Sequence, residues 1–335
     1  MSMVEHFEVS CDDEGMRLDR WLRSRFPGVG FVHAQKLIRS GQIRIDGGRV
    51  KADTRVKAGQ SIRIPPIVPA PSSKQTKQNK FSLDDINYIE SLVIYRDHHV
   101  IALNKPPGLA TQGGSGISEH VDRLLPALSG DNDVIPRLVH RLDRDTSGVL
   151  LIALNRTAAA ALSKSLKSKR AQKIYWAIAR GIPSPSPGRI SNFIAPDEQG
   201  NRASQVVVRQ GTPSAQHAVT NFEIVDRAGA KVSWIKLEPE TGRKHQLRVH
   251  MAHIGHPILF DSRYFNVENW SVPGGLVEML CLHARRIVLP HPAGGILDVR
   301  AKLPEHLKYA FDLLGFDQNT HGADLSIGGE KADGY

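Results

Sequence analysis

His140-Arg141-Leu142-Asp143-Arg144-Asp145-Thr146-Ser147-Gly148, running straight into the apolar stretch VLLIAL at 149 to 154, is the segment that decides how this chain folds. Consecutive apolar residues without polar alternation predict a strand covered on both faces. A loop so dense in charge at a strand's mouth is where a rigid scaffold can present side chains to a ligand. The plainer alternative is a solvated loop whose Asp and Ser residues cap turns. Composition alone leaves both open.

The neighbouring segments predict the rest of a large domain. VIYRD and VIALN, around 93 to 104, read as a hairpin closed at Asp97-His98-His99. KIYWAIAR at 173 to 180 alternates, with Ile174, Trp176 and Ile178 on one face and Tyr175 and Ala177 on the other. Tyr175 is therefore either an ordinary half-exposed strand residue or a platform on which a base stacks, worth roughly 1–3 kcal/mol. KVSWIKLEP at 231 to 239 is another strand. Thr241-Gly242-Arg243-Lys244-His245-Gln246-Leu247-Arg248 opens a helix expected from Arg243 to Ile254, with Leu247, Met251 and Ile254 inward and Gly255 at its end. Donors clustered at such a start suit a phosphate or carboxylate. His245, His250, His253 and His256 suggest a metal, but no carboxylate lies between His245 and Asp261, and no metal is expected. Strands with interspersed helices and no regular alternation predict an α+β fold.

The chain has 335 residues and a formal charge of +10. Residues 16 to 65 hold twelve Lys or Arg against Asp19, Asp46 and Asp53, a net +9, so the remainder is nearly neutral. That segment predicts a small phosphate-binding module. A helix at 17 to 25 carries Leu18, Trp21 and Leu22 on one side, and a second from His33 to Ser40 is stopped by Gly41. Short strands follow, with a Gly47-Gly48 hairpin turn and Ile62 and Ile64 alternating. Residues 1 to 15 are an N-terminal segment, the Pro- and Lys-rich residues 66 to 88 a linker, 89 to 316 the large domain, and 317 to 335 a disordered tail. Cys11 and Cys281 are the only cysteines, which argues against disulfides and thiolate zinc and for a cytoplasmic location. Neither a signal peptide nor a membrane span is expected. A monomer is the default expectation.

The blocks HRLDRDTSG-VLLIA, KIYWA and TGRKHQLRVHMAHIGHPILFD, with NKPPGLATQGG (104 to 114) before and LCLHARRIVLPHP (280 to 292) after, resemble the RluA/RluC/RluD-type pseudouridine synthases. The basic N-terminal module is similar to the αL motif, the RNA-binding unit of ribosomal protein S-four. One departure is Gly30-Phe31-Val32-His33, where that motif usually carries Ser-Arg. The likeness spans about residues 16 to 316. The αL module and the Arg144-Asp145 pair incline it toward the RluC branch.

The resemblance implies a mixed, mostly antiparallel sheet with a central cleft, isomerisation of uridines in large-subunit ribosomal RNA or its precursor, and no cofactor; no GxGxxG or phosphate-binding loop is present. It implies that Asp143 is the catalytic carboxylate, acting by nucleophilic or acid–base chemistry. Arg248 would pair with it, a contact that favours the charged carboxylate. Tyr175 would stack on the uracil and Arg141 would fill the gap left by the flipped nucleotide. Arg17, Arg20, Arg23, Lys36, Arg39, Arg44, Arg243, Lys244 and His245 would contact RNA. Rival readings are a non-catalytic RNA-binding or ribosome-assembly protein, a synthase acting on transfer RNA, and a hydrolase pairing Asp143 with Asp145.

Overall fold

The computed structural model describes residues 4–26, 29, 31–66, 81–114, 116–129, 136–168, 170–198, 204–265 and 274–327. Contacts divide the chain into two units, Met1–Lys80 and Phe81–Tyr335.

The smaller unit comprises β1 (Glu5–Glu8), α1 (Leu18–Arg25), α2 (Phe31–Arg39), β2 (Arg44–Ile45), β3 (Gly48–Arg49) and β4 (Ser61–Ile64). Its strands form one sheet in the order β1-β4-β2-β3. Leu18, Trp21 and Leu22 of α1 are buried, as their spacing requires, together with Leu37, Ile38, Ile62 and Ile64. Three expectations need correction. The N-terminal segment is not separate, because Glu5 to Glu8 pair antiparallel with β4. The hairpin turn is Asp46-Gly47, with φ of 47° and 78°, not Gly47-Gly48; an Asp-Gly pair suits a turn needing both angles positive. The second helix begins at Phe31. Of the expected linker, residues 67 to 80 lie outside the described residues, while Leu83–Ser91 form a helix of the larger unit, capped by Ser82 accepting from the Asp85 amide at 3.0 Å.

The larger unit runs α3 (Leu83–Ser91), β5 (Val93–Arg96), β6 (Val100–Lys105), α4 (Val121–Leu124), β7 (Arg137–Leu138), β8 (Ser147–Ala153), α5 (Arg156–Lys167), β9 (Gln172–Arg180), β10 (Gly188–Pro196), β11 (Gln205–Val208), β12 (Gln216–Ala228), β13 (Val232–Pro239), α6 (Gln246–His253), β14 (Leu282–Pro290), β15 (Ile296–Arg300) and α7 (Glu305–Leu314). Among the described residues its sheet has eleven strands in the order β11-β10-β12-β13-β9-β14-β8-β6-β5, with β15 beside β14 and β7 beside β8. Every pairing is antiparallel except β14 with β8. This is the mixed, mostly antiparallel sheet of an α+β fold.

The reason VLLIAL lacks alternation is now physical. Val149, Leu151 and Ala153 pack into a core with Ala158 and Leu162 of α5, whereas Leu150 and Ile152 pack into another with Ile89, Leu124 and Leu128. Both faces are covered, so both must be apolar. Gly148 leads into this strand at φ 110°, and a Cβ there would lie 2.2 Å from the Ala284 carbonyl. Only glycine lets β8 and β14 approach so closely.

The tail expected to be disordered is not so as far as Ile327. Trp176 Nε1 donates to the Ala323 carbonyl at 3.0 Å, Lys236 Nζ to Gly322 at 2.9 Å, and Arg285 grips Asp324 through two bonds of 3.0 and 3.1 Å. The Ile327 amide donates to Glu238 at 2.7 Å. A polar strap persists here because its carbonyls satisfy buried donors that would otherwise carry a desolvation penalty. Residues 328 to 335 lie outside the described residues.

Candidate active site

The loop between β7 and β8 is tied down on several sides. His140 Nε2 accepts the Leu151 amide at 2.9 Å; burial pushes its pKa down to about 4, so the ring is neutral and can accept. Thr111 Oγ1 donates to the Leu142 carbonyl at 2.7 Å and accepts the Leu142 amide at 3.1 Å. The Gly108 amide donates to the Arg144 carbonyl and Arg144 Nε returns a bond to Gly108, both 3.0 Å. Lys105 is fully buried and donates to the carbonyls of Pro106, Leu109 and Arg144 at 2.8–2.9 Å. Burial drives its pKa down to about 7, opposed by Asp145 and Asp143. Three carbonyl acceptors require three N–H groups, so satisfying all of them requires the ammonium form. The NKPPGLAT segment is therefore the clamp of the Asp143 loop.

The second wall comes from the turn before α6. Gln246 organises it: Oε1 accepts from Thr241 Oγ1 at 2.7 Å and the Arg243 amide at 3.0 Å, and Nε2 donates to the Val219 carbonyl and Thr220 Oγ1. The helix begins at Gln246, not Arg243 as the sequence suggests, because His245 adopts φ 54° and interrupts it. Arg243 and Lys244 therefore sit on a turn, not on a helix N-terminus. Burial on nearly all sides also exceeds the expected stripe, since Arg248, Val249 and His250 are buried with Leu247 and Met251.

Arg248 is the pivot. Its side chain is 3 % exposed and bonds bidentately to Asp261, Nε to Oδ2 at 2.7 Å and Nη2 to Oδ1 at 2.6 Å. Its Nη1 stands 3.7 Å from Asp143 Oδ2. The expected pairing with Asp143 thus exists as a longer ion pair, and the close partner is Asp261. On the opposite oxygen, His245 Nε2 lies 3.9 Å from Asp143 Oδ1. Burial pulls His245 down to about 4, against Asp143 and with Arg248, and its Nδ1 lies 2.9 Å from Tyr264 Oη. The Arg248 guanidinium sits 5.2 Å from the Tyr264 ring centroid, within cation–π range.

These walls enclose a cavity of about 530 Å³ lined by Arg141, Asp143, Tyr175, Arg243, Lys244, His245 and Arg248. Burial, then the charge of Asp143, raise the Tyr175 phenol pKa, so it presents a neutral ring. Lys167 and Lys173 add to the basic lining, and Glu240 is the other carboxylate there. Asp145 does not line it, so the Asp143–Asp145 pair weighed for a hydrolase is not brought together there. Of the histidines weighed as metal ligands, His250 Nδ1 meets Thr220 Oγ1 at 2.9 Å and His256 Nδ1 accompanies the Arg180 carbonyl at 2.9 Å. Among the described residues no three His, Cys, Asp or Glu side chains gather as a ligand set.

Arg17, Arg20, Arg23, Lys36, Arg39 and Arg44 belong to the smaller unit. Arg20, Arg23, Lys36 and Arg39 are exposed. Arg17 is engaged with Asp19 through bonds of 3.1 and 2.7 Å, and Arg44 Nε donates to the Gly41 carbonyl at 3.1 Å. Residue-level reading passed over Asp261, Tyr264, Lys105 and Gln246, although all four stand inside or beside the quoted blocks.

Asp143 set among Arg141, Lys167, Lys173, Arg243, Lys244 and Arg248, on a chain with a separate basic unit, points to an enzyme that works on nucleic acid. Residues 99–253 match the RNA pseudouridylate synthase family and residues 16–62 match the S4 domain. Over 320 residues the chain is 35% identical to the ribosomal large subunit pseudouridine synthase C of Escherichia coli (strain K12), covering 93% of this chain and 97% of that protein. The protein of that name from Vibrio cholerae is 32% identical across 92% of this chain and 96% of its own. Human RNA Pseudouridylate Synthase Domain Containing 4 superposes with a TM-score of 0.58 at 26% identity, over 69% of this chain and 95% of that one. The chain belongs to the RNA pseudouridylate synthase family and is an RNA pseudouridine synthase, an isomerase, with an S4 domain. No helix among the described residues is long and apolar enough to cross a membrane.

Proposed function

We propose that this enzyme converts uridines of large-subunit ribosomal RNA to pseudouridine, with the Asp143 carboxylate acting on an extruded nucleotide. The observation that carries the reading is the shared cavity of Asp143, Tyr175 and Arg248, lined by Arg141, Arg243 and Lys244. The relatives named for the ribosomal large subunit, similar over almost their whole length, favour that RNA over transfer RNA.

The reaction breaks the bond from N1 of uracil to C1′ of ribose and forms one from C5 to C1′. The proton on C5 leaves and N1 gains one, so no electrons or atoms are exchanged with a cofactor. Asp143 attacks or deprotonates the sugar while the base is detached. Tyr175 holds the base by stacking as a neutral phenol. A target inside a helix must leave its stack at a cost of a few kcal/mol, and Arg141, exposed at the cavity, fills the vacated place. The exposed Arg20, Arg23, Lys36 and Arg39 of the S4 domain bind phosphates.

The test is tritium release from large-subunit RNA labelled at C5 of uracil. The unaltered enzyme should liberate label and Asp143→Asn should not, while RNA affinity stays within about threefold, since Asn keeps the shape and an acceptor oxygen and most interface contacts change binding little. Equal release by the variant would refute the role of Asp143, and free uracil as product would indicate a hydrolase. A non-catalytic binder would release nothing in either form.

A further inference from the structure

The two oxygens of Asp143 have different neighbours. Oδ2 faces Arg248 Nη1 at 3.7 Å, and Oδ1 faces His245 Nε2 at 3.9 Å. The second gap is too long for a hydrogen bond, and one oxygen atom set beside the line joining the two can lie about 2.8 Å from each. What Nε2 offers in that gap follows from its other nitrogen. Tyr264 Oη accepts the Gln205 amide at 2.8 Å and lies 2.9 Å from His245 Nδ1. Its own hydroxyl proton then points to Nδ1. Burial raises the Tyr264 pKa and lowers that of His245, which keeps the phenol protonated and the imidazole neutral. An imidazole that accepts at Nδ1 carries its proton on Nε2. The cavity therefore holds a fixed N–H donor on one side of the gap and a carboxylate acceptor on the other.

Few groups of a nucleotide within a chain can sit there. The uracil carbonyls only accept and would meet the carboxylate lone pairs. The uracil N3–H only donates and would meet Nε2–H. The 3′ and 5′ oxygens are esterified and have no proton to give. The ribose 2′-hydroxyl both accepts and donates.

We propose that His245 reads the 2′-hydroxyl of the target uridine, holding it between Nε2–H and the Asp143 carboxylate, so that His245 is the residue with which this enzyme distinguishes ribose from deoxyribose. The assignment rests on the isomerase reading above. It makes His245 a specificity residue, with Tyr264 positioning it by selecting its tautomer.

The test uses an RNA stem-loop in which the modified uridine has first been located by tritium release from the unaltered full-length enzyme. Binding is compared between that RNA and one carrying a single 2′-deoxyuridine at the target. The unaltered enzyme should prefer the ribonucleotide by roughly ten- to a hundredfold, the range of hydrogen bonds to charged groups. His245→Leu removes the uncharged N–H donor and should shrink the preference by roughly two- to tenfold, leaving the contact with the Asp143 carboxylate. His245→Gln restores an N–H donor near the Nε2 position and should recover most of it. Leu and Gln bear the same cost at φ 54°, so backbone strain cannot explain a difference between them. A Leu variant that keeps the full preference, or a Gln variant no better than Leu, overturns the proposal. Failure of the unaltered enzyme to release tritium from any large-subunit RNA would overturn the isomerase reading and this assignment with it.

Discussion

Replacing Asp261 with alanine should cost this enzyme more stability than any replacement of Asp143. Asp261 has a fully buried side chain, and it accepts two short bonds from Arg248 as well as the amides of Arg263 at 2.9 Å and Tyr264 at 3.2 Å. Asp261→Ala leaves a guanidinium that is 3 % exposed without its close partner. Breaking a buried pair from one side costs about 3–5 kcal/mol, because the remaining charge stays desolvated. At roughly 2–4 °C per kcal/mol for a unit of this size, the melting temperature should fall by roughly 6–20 °C. Arg248 can turn toward Asp143, which would place the loss near the lower end and occupy the Asp143 carboxylate. The assay is differential scanning calorimetry of the full chain, following the transition of the larger unit. Arg248→Met provides the second arm, and the double variant should be more stable than Asp261→Ala alone, since no charge is then stranded. A melting temperature within ~2 °C of the unaltered protein would refute the reasoning. So would a double variant whose loss is the sum of the two singles, because coupled neighbours do not add.

Gly148→Ala should destabilise by roughly 2–6 kcal/mol, combining strain at φ 110° with a Cβ 2.2 Å from the Ala284 carbonyl; a urea midpoint unchanged from that of the unaltered chain would contradict it. His283 and His250 are fully buried, and burial lowers their pKa values to about 3 and about 4. Each binds its proton more readily unfolded, so stability should be full above about pH 6.5 and fall below it, by up to about 1.4 kcal/mol per pH unit per histidine. Urea titrations at three pH values between 7 and 5 check the slope, and a flat profile would count against it. Asp97 behaves in the same direction at lower pH. Burial would raise its pKa, but bonds from Tyr95, the His99 and Val100 amides and His291 bring it down to about 2. Its contribution is present above about pH 4 and is lost as pH falls toward 2, and Asp97→Asn should flatten that acid limb. Alanine at Arg20, Arg23, Lys36 and Arg39 together should lower the slope of log affinity against log salt by about 3, near 0.7–0.9 per phosphate contact; an unchanged slope would remove the S4 domain from RNA docking.

The order of elements was legible where one periodicity ruled a segment. The hairpin of β5 and β6 and the buried strand β8 follow from which faces are covered, whereas in β9 Ala177 and Ala179 are buried along with Ile174, Trp176 and Ile178, so both of its faces are covered there. What escaped the sequence depended on partners distant along the chain. Asp261 stands at the end of an apolar run, and nothing local shows that its carboxylate faces Arg248. The strap from Asp317 to Ile327 has the composition of a free tail, yet its value lies in backbone carbonyls, which composition does not register. Helix α6 started late because His245 takes a left-handed conformation in a turn that Gln246 Oε1 holds, and a propensity pattern does not contain those contacts. Grouping Arg141, Tyr175, Arg243, Lys244, His245 and Arg248 with Asp143 came from the resemblance, and all of them line one cavity.

The division of labour between the two aspartates explains why the site needs both. A guanidinium bonded bidentately to Asp143 would hold that carboxylate firmly while occupying the lone pairs the reaction requires. A guanidinium with no close anion could not remain in so dry a place. Asp261 resolves the conflict by taking the two short bonds at 2.6 and 2.7 Å, which leaves Arg248 near Asp143 at 3.7 Å as a fixed positive field rather than a clasp. The Lys105 and Thr111 clamps work on the other side of Asp143, fixing its backbone without touching its oxygens. Every strong contact around the carboxylate thus ends one group short of it, which is what the role proposed for Asp143 demands of its surroundings.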